Sequence, residues 1–232
     1  MSEKTSKTPQ QRKEANLAFL KSLGIKTLEN LPCIEAEEEV TLRSKSEVVK
    51  RAIALLLVSL YAEGVCTGQP RAENYDWIKE QIAVYTAEDF FSPQEKAFLA
   101  DEDPSPAMAN HFSWQYEGLA VLLWALGFLE KEAALAIPAK MVDVPEMLKK
   151  IIDLRSYQQL TDQAILRDKI TILDETDLIY RYDWACVDER INQVTDNQEA
   201  WGVAVERHRA LNWLTNYGLG VAEEWDEVGT DT

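Results

Sequence analysis

Apolar residues recur every three or four positions along most of this chain, a spacing that places them on one side of an α-helix. Leu17, Leu20 and Leu23 show the pattern near the start, and Ile78 and Ile82 show it further along. No stretch alternates apolar and polar residues between turn signals, as a half-buried strand would. The pattern therefore predicts an all-α protein with at most minor β structure.

Helix start signals divide this pattern into segments. Thr8, Ser44 and Ser92 are each followed three residues later by Gln or Glu, which completes a capping box. Asp143 and Asp168 are further N-cap candidates. The predicted helices are Thr8–Gly24, Ser44–Gly64, Ala72–Tyr85, Ser92–Leu99, Ala107–Leu126, Asp143–Ile152, Asp168–Ile191 and Trp201–Tyr217. We expect a bundle of about seven to nine helices.

The chain shows no internal repeat and no long linker, so we expect one helical domain over residues 8–232. Residues 1–7 have no apolar anchor and are predicted to be disordered. The loop Leu28–Thr41 combines the apolar stretch 31–34 with the acidic run 35–39. We expect this loop to pack as an arm across the bundle.

Composition narrows the class of protein. The chain has 232 residues, 46% of them hydrophobic, and a formal net charge of −16. This size and apolar content suffice for a core without metal or disulfide support. The negative charge repels phosphate backbones and anionic leaflets, which argues against nucleic-acid and membrane-surface binding. The same charge favours solubility and would attract a basic protein partner.

Cysteine usage and hydropathy indicate the compartment. Cys33, Cys66 and Cys186 are odd in number and far apart, as expected of reduced thiols in a cytoplasm. Residues 1–12 are polar and lack the apolar core of a signal peptide. The apolar runs Ala52–Ala62 and Gly118–Leu129 are too short to cross a bilayer. We predict a soluble cytoplasmic protein.

Three common kinds of chemistry have no sequence support. His111 and His208 have no second His or Cys at ligand spacing, so we expect no metal, and hydrogen-bonded histidines at the edge of the core are the simpler interpretation. No Gly-x-Ser-x-Gly elbow occurs, and no cysteine has a sequence-local base. The glycines form no phosphate-binding loop. We therefore expect no cofactor, and we assign no catalytic residue.

The positive signal is a set of charged and aromatic residues on shared helix faces, where a core-facing stripe would hold Leu or Ala. These candidate residues are Trp114, Glu117, Asp177, Arg181, Trp184, Glu206, Arg207, His208, Asn212 and Trp213. If their stripes converge, the ionised groups must pair, because buried charges are costly alone. We predict an internal network of Asp177, Arg181, Glu117, Glu206 and Arg207.

Two interpretations of this network stay open: it fixes the register of the helices, or it lines a ligand site. In the second, a concave pocket lies between the middle helix and the last two helices. We expect Trp114, Trp184, Trp213 and His208 to bound that pocket.

Short motifs along nearly the whole chain resemble one protein family. They include Leu42-Arg43-Ser44, Phe91-Ser92-Pro93, Tyr116-Glu117, Leu173-Asp174-Glu175, Trp184-Ala185, Glu206-Arg207-His208, Asn212-Trp213-Leu214 and Trp225-Asp226. They are similar to a family catalogued as a domain of unknown function, DUF4272. The resemblance implies an all-helical single domain of bacterial cytoplasmic origin, and it implies no activity, cofactor or substrate.

Two functions remain as hypotheses. The first is a binding or interaction module, such as an acidic antidote or adaptor that masks a basic protein. It is favoured by the acidic charge, the aromatic-rich faces and the lack of a catalytic motif. The second is a hydrolase acting on a small polar or cationic molecule. Glu206 or Glu117 would then be the acid–base group, His208 a proton shuttle, and Arg181 or Arg207 an anion clamp.

Overall fold

A computed structural model describes residues 6–216 and 224–232, and over these residues the protein is helical without a strand. The α-helices are α1 (Pro9–Ser22), α2 (Lys45–Cys66), α3 (Arg71–Tyr85), α4 (Pro93–Ala100), α5 (Pro106–Ser113), α6 (Gln115–Ala125), α7 (Lys131–Ala134), α8 (Val144–Lys149), α9 (Tyr157–Gln163), α10 (Lys169–Ile191) and α11 (Gln198–Thr215). A 3₁₀ helix, Trp225–Glu227, follows. The prediction of an all-α, single-domain bundle is confirmed.

The helices pack in a continuous series. α1 lies on α10, α10 on α11, α11 on α6, and α6 on α2. Helix α2 also contacts α3, α5 and α9, and it is buried on most of its surface. Its near-continuous apolar run matches this position, because a helix that is packed against neighbours on most sides is apolar around most of its circumference. No described helix is both long and apolar enough to span a membrane.

Most helix starts lie where the sequence predicts them. The capping boxes at Thr8, Ser44 and Ser92 are formed, and Asp143 and Asp168 cap α8 and α10. These signals are local, so they act whatever the tertiary context. The short helices α7 and α9 carry no periodic signal in the sequence, and they raise the number of described helices above the predicted range.

Several helix boundaries differ from the prediction, and α2 continues past the predicted end at Gly64 to Cys66. The predicted helix Ala107–Leu126 is divided at Trp114, where a tight turn bonds Glu117 N to the Trp114 carbonyl. Helix α8 ends at Lys149. Helix α11 starts at Gln198 with Asn197 as its N-cap and reaches Thr215, and the predicted end at Tyr217 and Gly218 lies outside the described residues.

The loop Leu28–Thr41, the N-terminal arm, crosses the bundle as predicted. Leu31, Ile34 and Val40 are buried, and the Lys169 ammonium binds the Glu37 and Val40 carbonyls at 2.9 and 2.7 Å. Of the segment predicted to be disordered, residues 1–5 lie outside the described residues. Ser6 and Lys7 bond to Glu37 and Asp174.

Buried Arg12 joins the first helix to the tenth. Its side chain is fully buried, and its Nε donates to Asp174 Oδ1 at 3.2 Å across a sequence separation of 162 residues. The amide of Asn16 adds bonds to the Asp174 carbonyl and to Asp177 Oδ2. These polar contacts set where α1 lies along α10.

The C-terminal tail packs back onto the bundle through Trp225. Its ring meets Trp213 edge-on at 5.9 Å between centroids, and the Arg51 guanidinium lies 5.1 Å from the ring centroid. Arg51 also forms a buried pair with Glu95 of α4. The indole also packs close to Gly118 of α6, where a Cβ would lie 3.4 Å from the ring, at ordinary contact distance. The tail is thus part of the core.

Trp225→Ala is expected to lower the free energy of unfolding by about 3–5 kcal/mol, because it removes a buried indole from between α2, α6 and α11. Urea unfolding followed by circular dichroism measures the change. Val194→Ala, at a position 64% exposed, is the control and is expected to change stability by less than about 0.5 kcal/mol. Equal effects of the two substitutions would contradict the packing role of the tail.

Candidate functional site

The candidate charged residues are buried, but they divide into separate pairs. The first is Arg207 of α11 with Glu117 of α6, joined by Nε and Nη2 bonds of 3.0 and 2.9 Å to Oε2. Nη1 and Nη2 of Arg207 also bind the carbonyls of Ala136 and Lys140, at 3.3 and 2.6 Å. Val142 N donates to Glu117 Oε1. Both side chains are therefore occupied in holding the loop 136–142 against the bundle.

The second pair, Asp177 with Arg181, lies within α10. Nε and Nη2 of Arg181 bind the two carboxylate oxygens at 2.9 and 2.6 Å. Nη2 also binds the Pro32 carbonyl at 3.1 Å, while Asn16 donates to Asp177. This pair fastens the N-terminal arm and α1 to α10. Neither Arg181 nor Arg207 is available as the predicted anion clamp.

The third pair is His208 with Asp183, whose Oδ2 lies 2.8 Å from His208 Nδ1. The imidazole borders a cavity of about 70 Å³ beneath the arm, which Cys33 and Asn212 also line. That volume holds about two water molecules. The Cys33 thiol donates to Gln10 Oε1 at 3.5 Å, and the Asn212 amide donates to the Gly229 carbonyl. The cavity is too small for the predicted proton shuttle to meet an organic substrate.

Two of the candidate tryptophans lie elsewhere. Trp184 stacks under the Lys26 ammonium, 5.8 Å from its ring centroid. Trp213 lies between Arg43, at 4.8 Å, and Trp225. Within the described part of the chain, neither indole lines the cavities that Trp114 and His208 border. The single pocket bounded by Trp114, Trp184, Trp213 and His208 is therefore wrong.

The predicted five-residue network is wrong as well. Its two arginines take separate carboxylates, because α10 and α11 each turn their guanidinium toward a different loop. Glu206 pairs with neither arginine and instead lies beside Arg209, whose Nη1 is 3.2 Å from Oε2.

Trp114 and Glu206 line a larger cavity, a cleft of about 640 Å³ between α5 and the first half of α11. Its lining combines two indoles with polar groups: Ala107, Asn110, His111, Trp114, Arg190, Gln198, Trp201, Gly202, Val205 and Glu206. Of the candidate set, only Trp114 and Glu206 lie here. We call it the Trp114 cleft.

Gly202 shapes the floor of the Trp114 cleft. A Cβ at this position would lie 3.0 Å from two ring atoms of Trp114, closer than such contacts normally come. Glycine therefore allows the indole of Trp114 to lie directly on the backbone of α11.

The Nε1 of Trp201, the second indole, is buried and has no acceptor among the described residues. An unsatisfied donor of this kind is uncommon in a folded protein.

The two titratable groups of the cleft have opposite shifts. Burial raises the pKa of Glu206, Arg209 opposes the rise, and Glu117 adds to it. Partial desolvation lowers the pKa of His111; the charge on Arg209 lowers it further, and Asp226 opposes the change. Both shifts favour the neutral form of the group. The cleft thus holds a carboxyl group that keeps its proton to higher pH than usual and an imidazole that is readily unprotonated.

Sequence reasoning missed most of this site. It identified His111 only as a core-edge histidine, and it gave Trp201, Gly202 and Arg190 no role. The one available signal was Gly202 near the start of the last predicted helix, because a glycine inside a helical pattern lowers helix stability and can have a packing reason. No group of three or more potential metal ligands occurs in the described parts of the chain.

Comparison with known proteins identifies the family. The family model described as "Domain of unknown function (DUF4272)" matches residues 12–228, so the chain belongs to that family. No curated protein and no solved structure matches the chain.

Glu206→Gln tests the environment of the cleft carboxyl group. Because burial raises its folded-state pKa above 4.5, the group stabilises the fold below that pH, and this contribution is lost as pH rises through the raised pKa. The stability of wild type relative to Glu206→Gln is therefore expected to fall as the pH rises above about 4.5. Denaturant unfolding across that range measures it. The control Glu132→Gln, at an exposed position, should show no such trend; a flat Glu206→Gln difference would refute the assignment.

Proposed function

We propose that this member of the DUF4272 family is a binding protein for a small, planar, polar molecule, which it holds in the Trp114 cleft. The observation that supports this is the combination of Trp114, Trp201, His111 and Glu206 around one cavity of about 640 Å³. Ligand pockets are typically of this size and combine aromatic walls with a few polar groups.

The lining favours a particular ligand chemistry. Two indoles offer flat apolar surfaces for a ring, and a protonated Glu206 both donates and accepts a hydrogen bond. The net charge of −16 disfavours the approach of anions. A neutral or cationic nitrogen heterocycle meets these conditions, because its ring can stack while its nitrogens exchange hydrogen bonds with Glu206 and His111.

A reducing, cytoplasmic setting is part of this proposal. Cys33, Cys66 and Cys186 are all unpaired thiols, and the first two are exposed. Exposed free thiols suit a compartment in which disulfides do not form.

A thermal-shift screen tests the proposal with purine and pyrimidine bases, nicotinamide and histamine as probes. A ligand present at about a hundred times its Kd stabilises the fold by about 2.7 kcal/mol, which is a readily measured shift in Tm. Trp114→Ala is expected to abolish the shift. Trp184→Ala is the matched control, because that indole is half-buried outside the cleft, and it should keep the shift. If no probe raises Tm, or if Trp114→Ala responds like wild type, the proposal fails.

One observation favours a second candidate, a hydrolase. The lowered pKa of His111 and the raised pKa of Glu206 favour an unprotonated imidazole and a protonated carboxyl group within the same cleft, a pairing typical of acid–base sites. In this role His111 would take a proton from water as the water attacks. Glu206 would give its proton to the leaving group, in place of the predicted pairing of Glu206 or Glu117 with His208.

Mass spectrometry of probe esters and amides incubated with the protein tests hydrolysis as cleavage with addition of water. Activity is expected to follow a bell-shaped pH profile, and His111→Gln and Glu206→Gln should each lower it by about 10²-fold or more. His208→Gln is the comparison, since that ring serves Asp183 outside the cleft. Turnover unaffected by both cleft substitutions would rule out this pair as the acid and base.

A further inference from the structure

A second groove lies on another face of the bundle, between α2, α3 and α8. It has an apolar part of about 360 Å³ and a polar part of about 480 Å³. The apolar part is lined mainly by Leu56, Leu57, Tyr85, Leu148, Ile151 and Ile152, and the polar part mainly by Glu63, Thr67, Gln69 and Asn74. Leu60 and Trp77 line both, so the indole of Trp77 separates them. We call this the Trp77 groove.

Large apolar side chains around the groove face solvent. Trp77 is 42% exposed and Ile152 is 58% exposed, and Val84, two turns after Trp77 on α3, is also exposed. Contiguous exposed apolar surface of this kind marks interaction sites. The walls are held in place from below, because Tyr85 Oη donates to the Leu154 carbonyl and Asn74 donates to the Tyr61 carbonyl. The groove is therefore a preformed feature and not a gap between loose loops.

Charges around the groove are unevenly placed. Glu63 is the charged residue of the polar part, and it accepts a bond from Tyr116 Oη at 2.7 Å. Glu73 and Glu80, four residues before and three after Trp77, are exposed on the same face of α3. Arg155 lines the opposite, apolar part. Glu63 and Glu73 therefore lie toward the polar part, and Glu80 lies toward the apolar part, which Arg155 also lines.

We propose that the Trp77 groove binds a basic, amphipathic segment of another protein. Apolar side chains of the segment enter the part lined by Leu56 and Ile151, and its lysines or arginines lie against Glu63, Glu73 and Glu80. Arg155 disfavours a basic residue of the segment directly beside it. This site is separate from the Trp114 cleft and does not depend on it.

The net charge of the chain favours a basic segment in the groove over a second copy of the chain or an anionic lipid surface. At −16, two copies of the chain repel each other, and an anionic lipid surface is repelled as well. A basic segment is instead attracted over distance, and the apolar part then supplies short-range affinity. Charge attraction alone would be nonspecific, so the apolar contacts at Trp77 must decide where the segment binds.

The experiment uses three labelled synthetic peptides and the full chain. The first is an amphipathic Leu/Lys peptide, the second has Glu in place of Lys, and the third has Ser in place of Leu. Fluorescence anisotropy gives Kd for wild type, Trp77→Ala, Ile152→Ser and Glu63→Gln. Phe19→Ala is the matched apolar control, because Phe19 is 40% exposed on α1, and Glu132→Gln is the matched charge control. Circular dichroism verifies that each variant is folded.

Only the Leu/Lys peptide is expected to bind with high affinity. Trp77→Ala and Ile152→Ser should each weaken it by about tenfold or more. Glu63→Gln should weaken it severalfold and reduce its salt dependence, and both controls should bind like wild type.

Three results would overturn the proposal. The first is no binding of the Leu/Lys peptide to wild type. The second is equal binding to wild type and to Trp77→Ala and Ile152→Ser, which would mean attraction by net charge alone. The third is self-association of wild type in sedimentation equilibrium that Trp77→Ala abolishes, which would make a second copy the occupant of the groove.

Discussion

The need to pair buried charged side chains determines where the loops of this protein lie. Arg181 and Arg207 are almost fully buried, and each is compensated by a carboxylate and by backbone carbonyls of a crossing loop. A buried ion without such partners would cost several kcal/mol, so the arm and the loop 136–142 must lie where the guanidinium groups can reach them. This pairing of buried charges also determines which polar groups remain available to bind a ligand. The charged groups that hold the loops are occupied, whereas at the Trp114 cleft the Nε1 of Trp201 is buried without an acceptor among the described residues.

The fold could be predicted because its signals are local. A capping box such as Ser44 with Glu47 acts within one turn, and the helical period of apolar residues needs no knowledge of the partner helix. The same reasoning failed for α7 and α9, because each is shorter than two full turns and shows no period. It also missed the division at Trp114, where the sequence carries no helix breaker and the indole packs against Gly202 of a distant helix.

The site could be predicted only in part because its contacts are not local. Helical spacing correctly placed Asp177 beside Arg181, four residues apart. It could not show that His208 would take Asp183, 25 residues away, or that Arg207 would find Glu117, 90 residues away. The spacing of side chains along the sequence does not predict that the carbonyls of Ala136 and Lys140 accept from Arg207. It does not predict the contact of Trp114 with Gly202 either. The helical positions of the charged candidate residues indicated that their side chains are buried, but not which of them contact each other.

The pairing of Arg12 with Asp174 has a consequence for biosynthesis. The guanidinium of the first helix obtains its carboxylate partner only after a further 162 residues have been translated, which takes on the order of ten seconds or more at ribosomal rates. During that interval the N-terminal helices cannot complete their final packing, so the last steps of folding come after release of α10 from the ribosome. Until then the face of α1 that packs on α10 stays uncovered on the nascent chain, while α2 can already pack on α3, α5, α6 and α9, which precede α10.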